Sequence, residues 1–402
     1  NKIFNNSKII NNVTNNDGGG IFSFEDTSYF MKGVYISGNK SSTYGGGLYI
    51  SGTYNPVILT NLYVDQNVSE TTRGGGIYSD NINLIISNSS SITNNSAKNG
   101  GGIFYTSIDG DSLVINNTSF INNHANNRGG AIDAYLTGSG GKVELTYVLF
   151  EKNTAGFHVL EIEPNTDNSY IQIVNNTFVR NDGGISTLRL YNRGENEFIN
   201  NIVWHNTYSQ SNITLGVPGK YNNIENYAGS LGEGSISLDP QFVDLANGDY
   251  SLQPTSPSID AGHPDLDGDG ETWETDKDDQ DPDGTRMDMG SAWFSQIESE
   301  PPTIQITNID DDTKFGSGNS QTIEWTATDN FRIDQTKLYL KAPDSTSFTL
   351  MDSLYGNPGT YDYQVPLKVS KDYYMKISVS DPSGNTAADT QRFEVIDATL
   401  PV

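Results

Sequence analysis

The sequence predicts an all-β fold: a three-sided parallel β-helix of about eight coils over residues 1–225, an acidic segment over 226–300, and a β-sandwich over 301–402. Two markers that recur with one period predict the β-helix, and closely spaced alternating strands predict the sandwich. The composition agrees with both predictions. Its 41 glycines and its frequent asparagine, serine and threonine indicate many turns and few helices.

The first marker is an apolar-x-x-Asn phrase that returns at nearly constant spacing. Its eight asparagines are Asn12, Asn39, Asn67, Asn95, Asn123, Asn153, Asn181 and Asn206, separated by 27, 28, 28, 28, 30, 28 and 25 residues. We expect each asparagine to adopt a left-handed backbone at the same turn and to hydrogen-bond its counterparts in the neighbouring coils as a ladder.

The second marker is a glycine phrase, such as Gly74–Gly76, that follows each of the first five asparagines by five to seven residues. Between the markers lie three short β-favouring runs separated by polar turns. Three strands and three turns use about 27 residues, which is one coil of a β-solenoid. Leucine-rich and helical solenoids have similar periods, but their leucine or alanine consensus is missing here.

The stretch Asn95–Phe104, NSAKNGGGIF, resembles the coil phrase N-x-A-x-x-G-G-G-I-Y of the right-handed parallel β-helix repeat proteins of bacterial secretomes. This resemblance covers residues 1 to about 225, and it implies a right-handed solenoid in a secreted or cell-surface protein. It specifies the fold far better than an activity. No apolar run approaches the roughly 20 residues that a membrane-spanning helix needs, so we expect no membrane insertion in this segment.

Four phrases in the middle segment occur in a fixed order, beginning at Asp239, Gly248, Ser256 and Asp288. They resemble the tail that closes many such β-helices, described as a choice-of-anchor Q domain. The resemblance implies an irregular cap over the exposed strand edges at the end of the solenoid. Trp293 and the phenylalanine after it are then expected to plug that end.

The middle segment is strongly acidic and carries a calcium-loop pattern. Residues 231–300 hold 18 acidic side chains and 2 basic ones, a balance that disfavours nucleic acid and favours a divalent cation. The loop positions 1, 3, 5, 7 and 12 are occupied by Asp265, Asp267, Asp269, Glu271 and Asp276, with Gly270 at position 6. The sequence therefore predicts a structural Ca²⁺, and the alternative is a solvated acidic loop.

After the linker at Pro301–Pro302, seven runs of alternating apolar and polar residues predict an immunoglobulin-like β-sandwich. Trp325 and the turns at Asp329 and Asp381 resemble those of bacterial immunoglobulin-like modules. We expect Trp325 to lie in the core of the sandwich and the two aspartates to lie in turns.

A few charged side chains on the solenoid are candidates for catalysis. Asp133, Glu161, Glu163 and Arg189 follow the glycine phrase in successive coils, so they are expected to share one face. Polysaccharide hydrolases need paired carboxylates, and lyases need a base beside a group that neutralises the substrate carboxylate. The alternative is a solvated, partly paired surface.

Four aromatic residues at one register position form a candidate glycan-binding row: Phe22, Tyr49, Tyr78 and Phe104. If these rings point outward they can bind sugar rings or shield the strands, and if they point inward they belong to the core. Glycosylation sequons also occur in the first half, with Asn12, Asn39, Asn67 and Asn175 as candidates, although turns rich in asparagine, serine and threonine produce such sequons by composition.

The function favoured by the sequence is an extracellular, non-catalytic structural or adhesive protein of the cell surface. The first twelve residues supply only the later part of a coil, so head-to-tail assembly into a filament is also expected. The expected partners are therefore other copies of the chain or an extracellular polysaccharide. The alternative is a glycan-binding module or a polysaccharide lyase or hydrolase that acts on the β-helix face.

Overall fold

The computed structural model forms two compact units, Asn1–Phe294 and Ser295–Val402. The residues that it describes are 2–24, 29–52, 56–108, 110–138, 140–191, 193–214, 219–226, 232–296, 300–330 and 332–398. Throughout these ranges the fold is all-β apart from one short 3-10 turn, Lys277–Asp279. No helix in the described part of the chain is long and apolar enough to cross a membrane.

The first unit is a parallel β-solenoid in which a full turn has four short strands, so the strands form four stacks. The first stack comprises Ile21–Phe24, Leu48–Ser51, Ile77–Asp80, Ile103–Ser107, Ile132–Leu136, His158–Pro164, Ser186–Leu190 and Ile213–Thr214. The second stack comprises Lys2–Asn5, Tyr29–Lys32, Val57–Thr60, Leu84–Ser87, Ser112–Ile121, Lys142–Glu151, Tyr170–Val174 and Glu195–Ile199.

The other two stacks follow in the same turns of the chain. The third stack comprises Lys8–Ile10, Tyr35–Ser37, Tyr63–Asp65, Ser90–Thr93, Thr177–Val179, Ile202–Trp204 and Asn223–Ile224. The fourth stack comprises Val13–Thr14, Lys40–Ser41, Val68–Ser69, Ser96–Ala97, His124–Ala125 and Thr154–Ala155. The long strands Ser112–Ile121 and Lys142–Glu151 run through both the second and the third stack and join them into one sheet. The predicted runs match the first three stacks, and the two-residue strands of the fourth were not predicted.

The predicted asparagine ladder is present and holds the turns together. The Asn95 amide donates to Asn123 Oδ1 at 3.0 Å and to Val64 O at 2.9 Å, while Asn95 Oδ1 accepts from the Asn67 backbone and side chain, each at 3.0 Å. The same side-chain link repeats seven times between Asn12 and Asn206. Seven links define about seven turns, one fewer than predicted.

The left-handed backbone falls one residue earlier than predicted. Asn94 has φ +54° and Asn122 has φ +56°, each directly before a ladder asparagine, whereas Asn95 and Asn123 are not among the residues with positive φ. The prediction that the ladder asparagines themselves are left-handed is therefore wrong. The preceding residue turns the chain, and the ladder side chain then points inward to bond the next turn.

The glycine phrases mark a corner where the turns approach one another closely. A Cβ on Gly46 would lie less than 3.0 Å from Gly75 O and from the backbone of Val68, both in the next turn. Glycine is required there because a neighbouring backbone occupies the space that a side chain would need.

Aliphatic and aromatic side chains fill the interior of the solenoid at each level. Ile77, Leu84 and Ile92 come from three different stacks of one turn and have no solvent exposure. Phe120, Phe150 and Phe178 stack along the axis, with centroids 5.3 Å and 4.5 Å apart. The core therefore runs as one continuous column through the turns.

The acidic segment packs against the side of the last turns. Tyr250, Leu252 and Met289 form a second apolar cluster with Val179 and Ile202 of the third stack. Two hydrogen bonds hold it there, since the Gly290 amide donates to Asn200 O at 2.7 Å and the Asn175 side chain donates to Asp288 O at 2.8 Å. The acidic segment therefore also covers the outer side of the third stack, and a cap over the end of the solenoid stays a prediction.

The second unit contains two sheets that share one hydrophobic core. One sheet has the strand order Thr303–Ile306, Ser320–Thr328, Thr360–Gln364. The other has the order Lys314–Gly316, Thr386–Ile396, Ser370–Ser380, Gln335–Lys341, Thr349–Tyr355. Trp325 lies in this core as predicted, and its Nε1 donates to Asn357 Oδ1 at 2.9 Å.

Candidate functional site

The outer face of the first stack carries a single row that contains seven of the eight aromatic and charged residues predicted for glycan binding or catalysis. Strand alternation points Ile77 and Ile103 into the core and the residues that follow them outward. The strand register places seven side chains in line: Phe22, Tyr49, Tyr78, Phe104, Asp133, Glu161 and Arg189. Glu163 lies in the next outward row, opposite Tyr135. The candidate aromatic and charged residues thus form one continuous surface, which we call the first-stack face.

The four aromatic rings of this face are stacked on one another. Successive centroids from Phe22 to Phe104 are 4.9, 5.0 and 5.5 Å apart, with interplanar angles of 16°, 8° and 7°. Exposure falls along the row, from 57% at Phe22 to 1% at Phe104, where the Arg73 guanidinium lies 4.6 Å above the ring. Sugar binding by Phe104 is therefore excluded in this arrangement, and the accessible end of the row is at Phe22 and Tyr49.

The charged end of the row is buried beneath an arginine. Asp133 has no solvent exposure, and within the described chain neither of its carboxylate oxygens has a hydrogen-bond partner. Glu161 accepts a hydrogen bond from the Tyr191 hydroxyl at 3.2 Å and lies 3.6 Å from Arg128. Arg128 also reaches Glu163 at 3.3 Å and stacks over the ring of Tyr135.

Burial changes the protonation of this cluster. It raises the pKa of Asp133 to about 7, with the Arg128 charge opposing the shift and the Glu161 charge adding to it. Burial likewise raises the pKa of Glu161. Burial and the nearby Arg189 charge lower the pKa of His158 to about 4, so this histidine is neutral at pH 7. The row therefore ends in a closed layer of carboxyl groups, arginines and aromatic rings.

A second exposed aromatic pair, not predicted from the sequence, lies on the outer side of the third stack. Tyr35 and Tyr63 stack with centroids 5.7 Å apart and are 38% and 40% exposed. Each tyrosine directly precedes the apolar residue of the asparagine phrase, and the two are one 28-residue period apart. This spacing was the signal available in the sequence. This pair resembles the Phe22–Tyr49 pair, and the residues in register with it are Lys8 beside Tyr35 and Ser91 beside Tyr63.

The acidic loop brings together most of the predicted metal ligands. Carboxylate oxygens of Asp265, Asp267 and Asp279 lie within 4.8 Å of one another, as do those of Asp267, Asp269 and Asp276. The predicted ligand Glu271 belongs to neither group of described residues.

Asp279 supplies a further observation that favours a cation. Its side chain is fully buried, and its Oδ2 has no hydrogen-bond partner in the described part of the chain. Ca²⁺ binds six to eight oxygen ligands, mainly carboxylates and carbonyls, so the donors present fit this ion. Asp265, Asp267 and Asp279 would hold it on the buried side of the loop.

Three of the four candidate glycosylation sites are inaccessible. Asn39 and Asn67 are fully buried ladder residues whose amides donate along the solenoid. The Asn175 amide is buried against Asp288 O. Glycosylation at these three positions is therefore incompatible with the fold, because their amide nitrogens are enclosed. Asn12 is exposed, although its amide also donates to Asn39.

Comparison with known proteins adds one match. Residues 117–135 match the Chlamydia polymorphic membrane protein (Chlamydia_PMP) repeat. The matched stretch runs from a third-stack strand through the glycine corner to the first-stack strand that contains Asp133. No curated protein and no solved structure matches the chain. The chain is thus a parallel β-solenoid repeat protein with one segment similar to that membrane-protein repeat.

Proposed function

We propose that this chain is a surface-associated, non-catalytic adhesive protein that attaches to extracellular polysaccharide through the exposed end of the first-stack face. The observation that carries the proposal is the continuous row of stacked rings from Phe22 to Phe104. The polymorphic membrane protein repeat over residues 117–135 supports surface association.

The exposed end of the row suits a sugar chain in its chemistry. Phe22 offers a largely exposed ring, and Tyr49 adds a partly exposed ring stacked on it. Flat aromatic faces bury the C–H face of a sugar ring at little entropic cost, because each aromatic side chain has only two rotatable angles. The stacking of the rings fixes them further before a ligand arrives.

Asp133 and Glu161, which we call the carboxyl pair, are buried, and their burial supports a non-catalytic role. A catalytic acid or base must come within hydrogen-bond distance of the substrate, and Asp133 has no exposed surface. Arg128 lies against Glu161 and Glu163 above it. We therefore assign the carboxyl pair to the packing of this face. A hydrolase or lyase would need Arg128 to move aside.

Head-to-tail assembly is a second part of the proposal. Apolar side chains on the first turn are open to solvent, with Ile3 65%, Val13 72% and Phe24 65% exposed. Apolar side chains such as these favour stacking against a further turn, whether that turn belongs to the same protein or to the end of a second copy. Electron microscopy of the full chain tests this, with Val13→Lys as the variant. We expect short rods that dissociate in the variant, and monodisperse monomers of the unmodified chain at high concentration would contradict assembly.

Several architectural features belong to the same proposal. We propose a right-handed solenoid with a three-sided cross-section, supported by the joining of the second and third stacks into one sheet, so that the four stacks form three sheets. We also propose a structural Ca²⁺ in the acidic loop and an immunoglobulin-like identity for the second unit. We also propose that the middle segment is a choice-of-anchor Q tail, supported by the four ordered phrases between Asp239 and Gly290.

A polysaccharide retention assay tests the adhesive function. Affinity electrophoresis through gels containing individual polysaccharides first identifies a ligand for the unmodified chain. The double variant Phe22→Ala/Tyr49→Ala is then expected to bind at least tenfold more weakly. The control is Tyr35→Ala/Tyr63→Ala, which removes an exposed, stacked pair from another face. Equal retention of both variants and the unmodified chain would remove the first-stack face as the binding surface.

A further inference from the structure

A cleft of about 860 Å³ lies between the solenoid and the acidic segment, away from the first-stack face. One wall is the corner between the second and third stacks, at Asn116, Asn117 and Tyr147. The other wall is formed by two stretches of the acidic segment, residues 280–284 and 291–293.

Trp293 presents its indole to this cleft. The side chain is 40% exposed, which contradicts its predicted role as an apolar plug. The backbone on either side is anchored, since the Ser291 amide donates to Thr177 Oγ1 at 2.9 Å and the Phe294 amide donates to Asp288 Oδ2 at 2.6 Å. The backbone that carries the indole is therefore held in place at the edge of the cleft.

Tyr147 on the opposite wall has an unusual backbone. Its φ is +53°, at a corner where the neighbouring turns carry asparagine: Asn117 before it and Asn175 after it. A bulky residue rarely adopts this conformation, and such outliers concentrate at functional sites. Burial and the charges of Asp281 and Asp288 raise the pKa of Tyr147 to about 12, so its hydroxyl keeps its proton and can donate a hydrogen bond.

The remaining lining groups are hydrogen-bonding amides and carboxylates. Asn116, Asn117 and Gln280 supply amide groups, Asp281 and Asp283 supply carboxyl groups, and Lys277 supplies an ammonium group. Because residues 231–300 carry 18 acidic and 2 basic side chains, the field in this cleft repels anionic ligands. An exposed indole beside several hydrogen-bonding groups suits a ligand with one apolar face and many hydroxyls.

We propose that this cleft binds a non-acidic oligosaccharide, with one sugar ring stacked on Trp293 and its hydroxyls bonded by Tyr147 and the amide side chains. The site is separate from the first-stack face, and its existence does not depend on the proposed adhesive function. It gives the chain a second carbohydrate contact, made jointly by the solenoid and the acidic segment.

Isothermal titration of the full chain in calcium-containing buffer tests the proposal, with soluble oligosaccharides of glucose, N-acetylglucosamine and galacturonic acid as probes. We expect binding of at least one neutral oligosaccharide, accompanied by a change in tryptophan fluorescence, and no binding of the galacturonic acid oligomer. Trp293→Ala should weaken binding at least tenfold, while Trp293→Phe should retain most of it. A thermal melt of each variant checks that it is folded.

Variants of the other surface separate the two sites. Phe22→Ala/Tyr49→Ala should leave this titration unchanged, because those rings belong to the first-stack face. Loss of the neutral-sugar titration in that double variant would assign the binding to the first-stack face and overturn the cleft proposal. Equal affinity for the acidic oligomer, unchanged binding by Trp293→Ala, or no binding of any neutral probe would also overturn it.

Discussion

Replacing one central asparagine of the ladder by alanine should destabilise the whole solenoid. Asn95 makes four hydrogen bonds through its side chain, and the residue is fully buried. In Asn95→Ala the Asn67 backbone and side-chain donors lose their acceptor, and Val64 O loses the Asn95 amide donor. Each buried donor without a partner costs about 1–3 kcal/mol, so the two donors together cost about 4 kcal/mol.

Urea unfolding followed by circular dichroism measures this loss. We expect the midpoint of the solenoid transition to fall by about 1 M or more, given typical slopes of about 1–3 kcal/mol per M. Asn15→Ala is the control, because Asn15 is exposed and lies outside the ladder. It should change the free energy of unfolding by less than about 0.5 kcal/mol. Equal midpoints for Asn95→Ala and Asn15→Ala would refute the role of the ladder.

Three further predictions concern the corner, the buried carboxyl group and the calcium loop. Gly46→Ala should lower the free energy of unfolding by more than about 3 kcal/mol, because the new Cβ meets the backbone of the next turn. In the control Gly110→Ala the new Cβ meets no atom within 4 Å, so the loss should be about 1 kcal/mol, from the positive φ alone. Comparable urea midpoints for the two variants would contradict this prediction. Burial raises the folded-state pKa of Asp133 to about 7. The protonated group therefore contributes its full stabilisation below pH 4, and about 4 kcal/mol of that stabilisation is lost as the pH rises through 7. Asp133→Asn should therefore flatten the stability profile between pH 4.5 and 7.5, and parallel profiles would refute the shift. Removing Ca²⁺ with a chelator should lower the melting temperature of the unmodified chain and of the control variant Asp278→Asn. It should not lower that of Asp267→Asn, because Asp267 belongs to both carboxylate groups and its loss already removes the site. An unchanged melting temperature of the unmodified chain would exclude the ion.

The solenoid was predictable from the sequence because its constraints repeat in every turn. The buried ladder needs an amide that both donates and accepts, and the crowded corner needs glycine, so Asn67, Asn95 and Gly75 stand at fixed spacing. The fourth stack escaped prediction because strands of two residues, such as Ser96–Ala97, are too short to show an alternating pattern.

The candidate sites were predictable in register but not in accessibility. Sequence spacing placed Phe22 and Phe104 in one row, yet Phe22 is 57% exposed and Phe104 is 1% exposed, with Arg73 stacked over the Phe104 ring. The cleft at Trp293 depends on where the acidic segment packs, and that position is set by Asn175 and Asn200 contacts more than 60 residues away in sequence. No local pattern encodes such long-range docking.

The central claim is that the exposed aromatic rings of the first-stack face attach the chain to a polysaccharide. Retention on beads coated with the polysaccharide identified by gel retardation tests it most directly, comparing the unmodified chain, Phe22→Ala/Tyr49→Ala and Tyr35→Ala/Tyr63→Ala. We predict that only the Phe22/Tyr49 variant loses retention, by at least tenfold, with all three chains showing the same melting temperature. Equal loss in both double variants, or in neither, would contradict the claim.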